Sequence, residues 1–153
     1  MAKVSEGATA PNFELECATG PIRSSDFKGK TLVLYFYPKD DTPGCTSEAK
    51  DFSALAPQFA KAGAAVVGIS KDSVKSHEKF AAKYGLSIPL GADPEAKAIE
   101  AFESWVEKKL YGREYMGIDR STFLIQDGLI KRIWRKVKVA GHAQAVLDAV
   151  NAL

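Results

Sequence analysis

The segment Thr31-Leu32-Val33-Leu34-Tyr35-Phe36-Tyr37 is an unbroken run of β-branched, aliphatic and aromatic residues. A run without a polar face must be covered on both sides, which is the situation of an interior strand in an α/β sheet. Pro38 ends it, because proline cannot donate to a strand ladder. Beyond the turn-rich residues 39–44, apolar side chains recur at Ala49, Phe52, Leu55 and Phe59, the spacing that lays one face of a helix on a core. A buried strand therefore hands over to a helix through a short loop, and the rest of the chain is read around that unit.

The pattern then repeats. Residues 63–70 form a second buried strand, and residues 73–84 a helix that Gly85 terminates. Pro89 allows residues 87–90 only an edge strand or an extended connection. Asp93 as N-cap and Pro94 at the first helical position start a helix running towards Phe102. A polar and aromatic loop follows. Residues 121–126 and 129–134 flank Asp127-Gly128, a strong hairpin signal, and residues 141–153 close the chain as an amphipathic helix. Strands alternating with helices, then a hairpin and a last helix, predict an α/β thioredoxin-like fold: a central mixed β-sheet with helices on both faces.

The hydrophobic pattern runs on without a linker or repeat, so residues 1–153 are expected to form one domain. With 21 Lys and Arg against 19 Asp and Glu, the formal net charge of +2 gives no basic stripe and no reason to expect nucleic acid. No apolar run has the length of a membrane span, and the first residues lack that of a signal peptide, so a cytoplasmic location is expected. Cys17 and Cys45 are the two cysteines, too few for a disulfide scaffold and consistent with a reducing compartment in which thiols serve chemistry.

Cys45 lies where the first strand passes into its helix, in Tyr37-Pro38-Lys39-Asp40-Asp41-Thr42-Pro43-Gly44-Cys45-Thr46-Ser47-Glu48. Ligand sites in open α/β sheets form beyond the carboxyl ends of the strands, and the free N–H groups of a first helical turn favour negative charge there. Each neighbour can be given a task. Pro43 and Gly44 let the backbone turn beside the sulfur, the Thr42 hydroxyl can hold a polar oxygen, and Pro38 shields the loop. The amides of Gly44 and Cys45 can meet negative charge developing on oxygen. The competing reading is an inert, packed thiol, common for free cysteine, but a packed position needs no such crowding of Pro, Thr, Pro and Gly. A thiolate also needs a cation, and sequence proximity offers Lys39.

Pro38, Thr42 and Cys45 match the pattern P-x-x-x-T-x-x-C of the peroxiredoxins, and the longer string 37–46 is similar to the peroxiredoxin Q group, also called bacterioferritin comigratory proteins. Ala10-Pro11-Asn12-Phe13, Asp26-Phe27-Lys28-Gly29-Lys30 and residues 117–125 resemble the same group. The resemblance implies a thiol-dependent peroxidase. Cys45 would attack the O–O bond of hydrogen peroxide or an organic hydroperoxide and become a sulfenic acid, with no metal or organic cofactor. It puts Arg120 in the position of the catalytic arginine, where it supplies a cation, and Glu48 where a carboxylate holds that arginine or simply favours the helix dipole. Trp105, in the aromatic stretch 105–115, would wall the pocket, although aromatics are more often core.

Many relatives carry a resolving cysteine five residues after the reactive one, where this chain has Lys50, or in the following helix, where it has none. A one-cysteine enzyme is therefore expected, recycled by an external thiol such as thioredoxin, glutaredoxin or glutathione. Cys17, in a turn that the family places away from the site, is the remaining resolving candidate. A monomer is expected. The main alternative is a peroxide-sensing redox regulator that passes oxidation to a partner protein, which turnover would separate. A thiol-disulfide oxidoreductase would want C-x-x-C, and Thr46, Ser47 and Glu48 follow Cys45. His77 and His142 stand isolated on helices and are read as surface residues, and the basic-apolar alternation at 131–138 as a half-exposed strand.

Overall fold

The computed structural model describes residues 4–153; Met1, Ala2 and Lys3, the head of the segment read for a leader, lie outside the described residues. In chain order the elements are β1 (Glu14–Leu15), β2 (Ile22–Arg23), a 3₁₀ turn (Ser24–Phe27), β3 (Thr31–Phe36), α1 (Pro43–Lys61), β4 (Ala64–Ser70), α2 (Val74–Tyr84), β5 (Leu90–Ala92), α3 (Lys97–Ala101), β6 (Trp105–Leu110), β7 (Arg113–Ile118), β8 (Ser121–Gln126), β9 (Leu129–Trp134) and α4 (His142–Asn151). The central sheet has the order β5-β4-β3-β8-β9, with β3, β4 and β5 parallel and β8 and β9 antiparallel. This is the mixed sheet of a thioredoxin-like fold, and the apolar run of residues 31–36 is its middle strand.

The two faces of β3 account for its composition. Val33, Tyr35 and Tyr37 point into one core with Phe52 and Phe59 of α1, Phe80 of α2 and Val146 of α4, while Leu32, Leu34 and Phe36 point into another with Ile99, Phe102 and Phe123. Tyr35 lies beside Gly68 in the parallel register and stacks on Phe52 with centroids 4.6 Å apart. A β-carbon on Gly68 would stand 2.6 Å from that tyrosine ring. The missing side chain thus makes room for the ring that seats α1 on the sheet.

Helix α1 runs through Pro57. Proline lacks the N–H that would bond the carbonyl four residues earlier, and that carbonyl, on Ser53, accepts instead from the Ser87 hydroxyl at 3.2 Å, while the Ser87 amide donates to the Ser53 hydroxyl at 3.1 Å. Helix α2 begins and ends as expected: Ser73 accepts from the Ser76 amide, and Gly85 closes it in the left-handed region. The Asp127-Gly128 turn has positive φ at both residues and joins β8 to β9.

Three expectations are corrected. The helix begun at Asp93-Pro94 starts only at Lys97, because Ala96 sits at φ 59°; Asp93 still caps it, accepting from the Ile99 amide at 2.8 Å across the intervening turn. The loop expected after Phe102 is the hairpin β6–β7, turning at Tyr111-Gly112 with φ of 51° and 76°. His77 and His142 are buried, not superficial. The extended stretch 87–90 leads into β5, an edge strand, as Pro89 requires. Strand β9, also at an edge, carries the basic-apolar alternation on a largely exposed ribbon.

Candidate active site

Pro43 occupies the first turn of α1, where its missing N–H costs nothing, and Thr42 is the N-cap residue. Thr42 does not cap with its side chain. Its hydroxyl donates to the Lys39 carbonyl at 2.8 Å instead, which fixes the rotor and leaves the oxygen's lone pairs free to accept. The first helical amide bond is from Thr46 to the Thr42 carbonyl. Gly44 and Cys45 therefore present their amides at the helix end, where the backbone dipoles favour negative charge.

The Cys45 side chain turns inward and is 1% exposed. Arg120 reaches it from the bend between β7 and β8: Nη2 donates to Sγ at 3.4 Å and Nη1 donates to Glu48 Oε1 at 2.7 Å. Cys45 and Glu48 stand one turn apart on α1, so one planar guanidinium spans both, the two-pronged geometry that a lysine ammonium lacks. The bend is held on both sides. The Val137 amide donates to the Arg120 carbonyl at 2.9 Å, the Asp119 amide to the Ser104 carbonyl at 2.7 Å, and the Ser104 and Ser121 hydroxyls meet at 2.7 Å.

Burial pushes the Glu48 carboxyl up to about 7, against the pull of Arg120 in the other direction. Its second oxygen, Oε2, is buried without a partner among the described residues, consistent with a group that holds a proton part of the time. Burial draws the Arg120 guanidinium down, but Glu48 and Cys45 outweigh it and hold it above the ordinary range. A second cation, absent from the sequence reading, shares this field. Lys108 of β6 is half-buried, and burial holds it below the ordinary lysine range while Asp119 and Cys45 pull upward and Arg120 downward. No local signal marked it; across the hairpin, a β-carbon on Gly117 would stand 3.2 Å from the lysine stem.

The structure thus brings Gly44, Cys45, Glu48 and Arg120 together, with Thr42 half-buried at the N-cap of the same helix. Pro38 and Lys39 are exposed on the loop that leads to them. Trp105, at the head of β6, packs on the cluster of Leu34, Phe36 and Phe102 with Lys71 Nζ 4.7 Å from its ring centre, whereas Cys45 belongs to the core on the opposite face of the sheet. Cys17 is a free thiol 3.6 Å from the Thr19 hydroxyl, lining a cavity of about 300 Å³ with His77 and Ala81 of α2 and the segment before β5. Among the described residues no group of three or more His, Cys, Asp or Glu side chains is placed to hold a metal ion, and no helix is long and apolar enough to cross a membrane.

A sulfur at a helix N-terminus on a thioredoxin-like sheet, with a guanidinium delivered to it from a distant strand, defines a thiol-dependent oxidoreductase. The chain belongs to the AhpC/TSA family, whose model matches residues 7–133. Peroxiredoxin Bcp of Xanthomonas campestris pv. campestris is 55% identical over 125 residues, covering 81% of this chain and 78% of that one. The structure of the X. campestris bacterioferritin comigratory protein, solved to study its alkyl peroxide reduction, superposes with a TM-score of 0.87 at 49% identity, covering 92% and 90%. A cysteine variant of Xylella fastidiosa PrxQ gives a TM-score of 0.93 at 42% identity over 99% and 98%. This chain is a peroxiredoxin of the Q, or bacterioferritin comigratory, group, and hence a thiol-dependent peroxidase.

Proposed function

We propose that Cys45 is the peroxidatic residue and that the chain, acting as one domain, reduces hydrogen peroxide and organic hydroperoxides by a one-cysteine cycle. The observation that carries this reading is the 3.4 Å bond from Arg120 Nη2 to Cys45 Sγ with the same guanidinium held by Glu48. The guanidinium lies beside the sulfur that would attack.

In the reaction, Cys45 Sγ forms a bond to the nearer peroxide oxygen while the O–O bond breaks. The electron pair leaves on the far oxygen, which takes up a proton and departs as water or alcohol, and Cys45 becomes a sulfenic acid. Thr42 Oγ1, its own proton committed to Lys39, accepts from the peroxide hydroxyl. The amides of Gly44 and Cys45, with Arg120, meet the charge that develops on oxygen. Glu48 orients Arg120; Pro38, exposed on the loop, does not take the shielding role expected of it.

Lys50 stands where a nearby resolving thiol would be, and Cys17 lines a cavity against α2 instead of joining the Arg120–Glu48 group. The sulfenic acid is then reduced by an external thiol. A first thiol releases water and leaves a mixed disulfide, and a second thiol frees Cys45. Peroxide consumption by wild type, Cys45→Ser and Cys17→Ser, each with thioredoxin, glutaredoxin or glutathione supplied, tests both parts. Loss of activity in Cys45→Ser with retention in Cys17→Ser is expected. Full activity in Cys45→Ser would overturn the assignment. Loss of turnover in Cys17→Ser with the sulfenic acid still forming would instead overturn the one-cysteine cycle.

A further inference from the structure

Two consecutive aspartates in the loop before Cys45 are both tied to α2, in opposite ways. Asp40 turns inward. Its Oδ1 accepts from the Tyr37 hydroxyl at 2.6 Å, and its Oδ2 accepts from Ser76 Oγ at 2.8 Å and lies 2.7 Å from His77 Nδ1. Its amide donates to Asp72 Oδ2 at 2.9 Å. Both the Asp40 and His77 side chains are 3% exposed. Asp41 turns outward, with φ of 57°, and accepts from Lys83 Nζ at 2.8 Å and the Tyr84 hydroxyl at 2.5 Å.

The hydrogen bonds of His77 define its role. Nε2 faces the Gly91 carbonyl at 3.1 Å, an atom that only accepts, so Nε2 donates. Burial raises the Asp40 carboxyl, but the bonds from His77, Tyr37 and Ser76 outweigh it and keep it below the ordinary range. Nδ1 faces Asp40 Oδ2 at 2.7 Å and the Tyr37 hydroxyl at 3.3 Å. A buried pair of this kind adds little stability over an apolar pair of similar volume. What an apolar pair would not supply is a fixed direction for the backbone. With one aspartate drawn in, its neighbour drawn out through the left-handed region, and the Asp40 amide anchored, residues 39–42 have one path. That path sets the Lys39 carbonyl that holds the Thr42 hydroxyl.

We propose that Asp40 and His77 are positioning residues for peroxide reduction: their pair fixes the loop so that Thr42 and the first amides of α1 meet a peroxide bound at Cys45. The inference rests on the reading of Cys45 as the reacting sulfur. Neither residue touches the Arg120–Cys45–Glu48 group, whose members come from α1 and the β7–β8 bend. The pair therefore governs how peroxide is held and leaves the readiness of the sulfur to react with other electrophiles intact.

The test measures two rates at Cys45 in wild type, Asp40→Asn, His77→Gln and the double variant, with folding followed by circular dichroism. One is oxidation by hydrogen peroxide in a single turnover and the other is alkylation by iodoacetamide, read on the Cys45 peptide by mass. Fast oxidation of wild type at Cys45 establishes the underlying reading separately; its failure there would remove that reading before the variants are judged. Each single variant is expected to lose about tenfold to a hundredfold in peroxide rate, as small misplacements at a reacting centre do. Alkylation should be no slower than in wild type, and the double variant no worse than the poorer single one. Undiminished peroxide rates, losses that multiply in the double variant, or alkylation falling in step with oxidation would each overturn the proposal. If His77→Gln does not fold, the near-isosteric Asp40→Asn and the milder Ser76→Ala carry the same comparison of the two rates.

Discussion

Gly44 and Arg120 are in close approach: a β-carbon on Gly44 would stand 3.2 Å from Arg120 Nη2, the nitrogen that donates to Cys45. The glycine is needed here for room above the helix end. Alanine would press on a guanidinium that Glu48 and Cys45 hold from two sides. Gly44→Ala is therefore expected to lower the peroxide rate by roughly tenfold with the melting temperature unchanged or slightly raised, since alanine is the better helix former. Single-turnover oxidation alongside thermal unfolding checks this, and an unchanged rate would show that Arg120 yields freely.

Arg120 and Glu48 form a nearly buried ion pair, with side chains 18% and 1% exposed. Removing one partner strands the other. Arg120→Met is expected to cost about 3 kcal/mol of stability and to slow peroxide oxidation by roughly a hundredfold. The double variant Arg120→Met, Glu48→Leu should recover most of the stability and none of the rate. Recovery of both would mean that the pair serves folding alone.

Stability should vary with pH through two opposed groups. Glu48 is raised from 4.5 to about 7, so the folded chain holds a proton that the unfolded chain releases. Its contribution is complete below 4.5 and is lost as pH rises through 7, a change of up to about 3 kcal/mol that Glu48→Gln should abolish. Burial, with the charge of Arg120 adding to it, lowers His142 from 6.5 to about 4. Its contribution is complete above 6.5 and is lost as pH falls towards 4, so His142→Gln should uncover the falling Glu48 slope between pH 4.5 and 6.5, and Glu48→Gln the rising His142 slope. Wild type should show a shallow net profile, because the two slopes cancel over much of the same window. Denaturant unfolding at pH 4.5, 5.5, 6.5 and 7.5 for the three proteins checks the assignment.

The Tyr35 hydroxyl is buried without a partner among the described residues, on a ring that fits against Gly68. Tyr35→Phe removes the cost of that unbonded hydroxyl and keeps the stack on Phe52, so it should stabilise by about 1 kcal/mol. Gly68→Ala forces a methyl group to within 2.6 Å of the same ring and should destabilise by about 3 kcal/mol. Combining them relieves little of the second effect, because the clash involves ring carbon as well as the hydroxyl. Thermal melts of the three variants decide it.

Elements that were legible in the sequence each carry a local signal pointing the same way as their burial. The double-faced apolar run of β3, the serine and glycine bracketing α2, and Asp127-Gly128 are of this kind. The hairpin β6–β7 was not legible because a ribbon exposed over much of both faces, with Glu107, Lys109, Glu114 and Tyr115 pointing outward, has no apolar alternation to show. Ala96 hid the start of α3, since nothing in alanine announces a left-handed backbone. At the site, the loop and Cys45 were legible from the crowding of special residues. The burial of His77 was not, although its place with Phe80, Ala81 and Tyr84 on one helical stripe was a usable signal. Its partner Asp40 lies 37 positions away, a pairing that only the fold brings about.

Arg120 meets Cys45 across 75 positions of chain and Glu48 across 72. A nascent polypeptide that has left the ribosome only as far as β7 therefore has neither contact. On the proposed reading of Cys45, sensitivity to oxidant is expected to begin only when the sheet closes, so the speed with which peroxide consumes the thiol would double as a clock for folding.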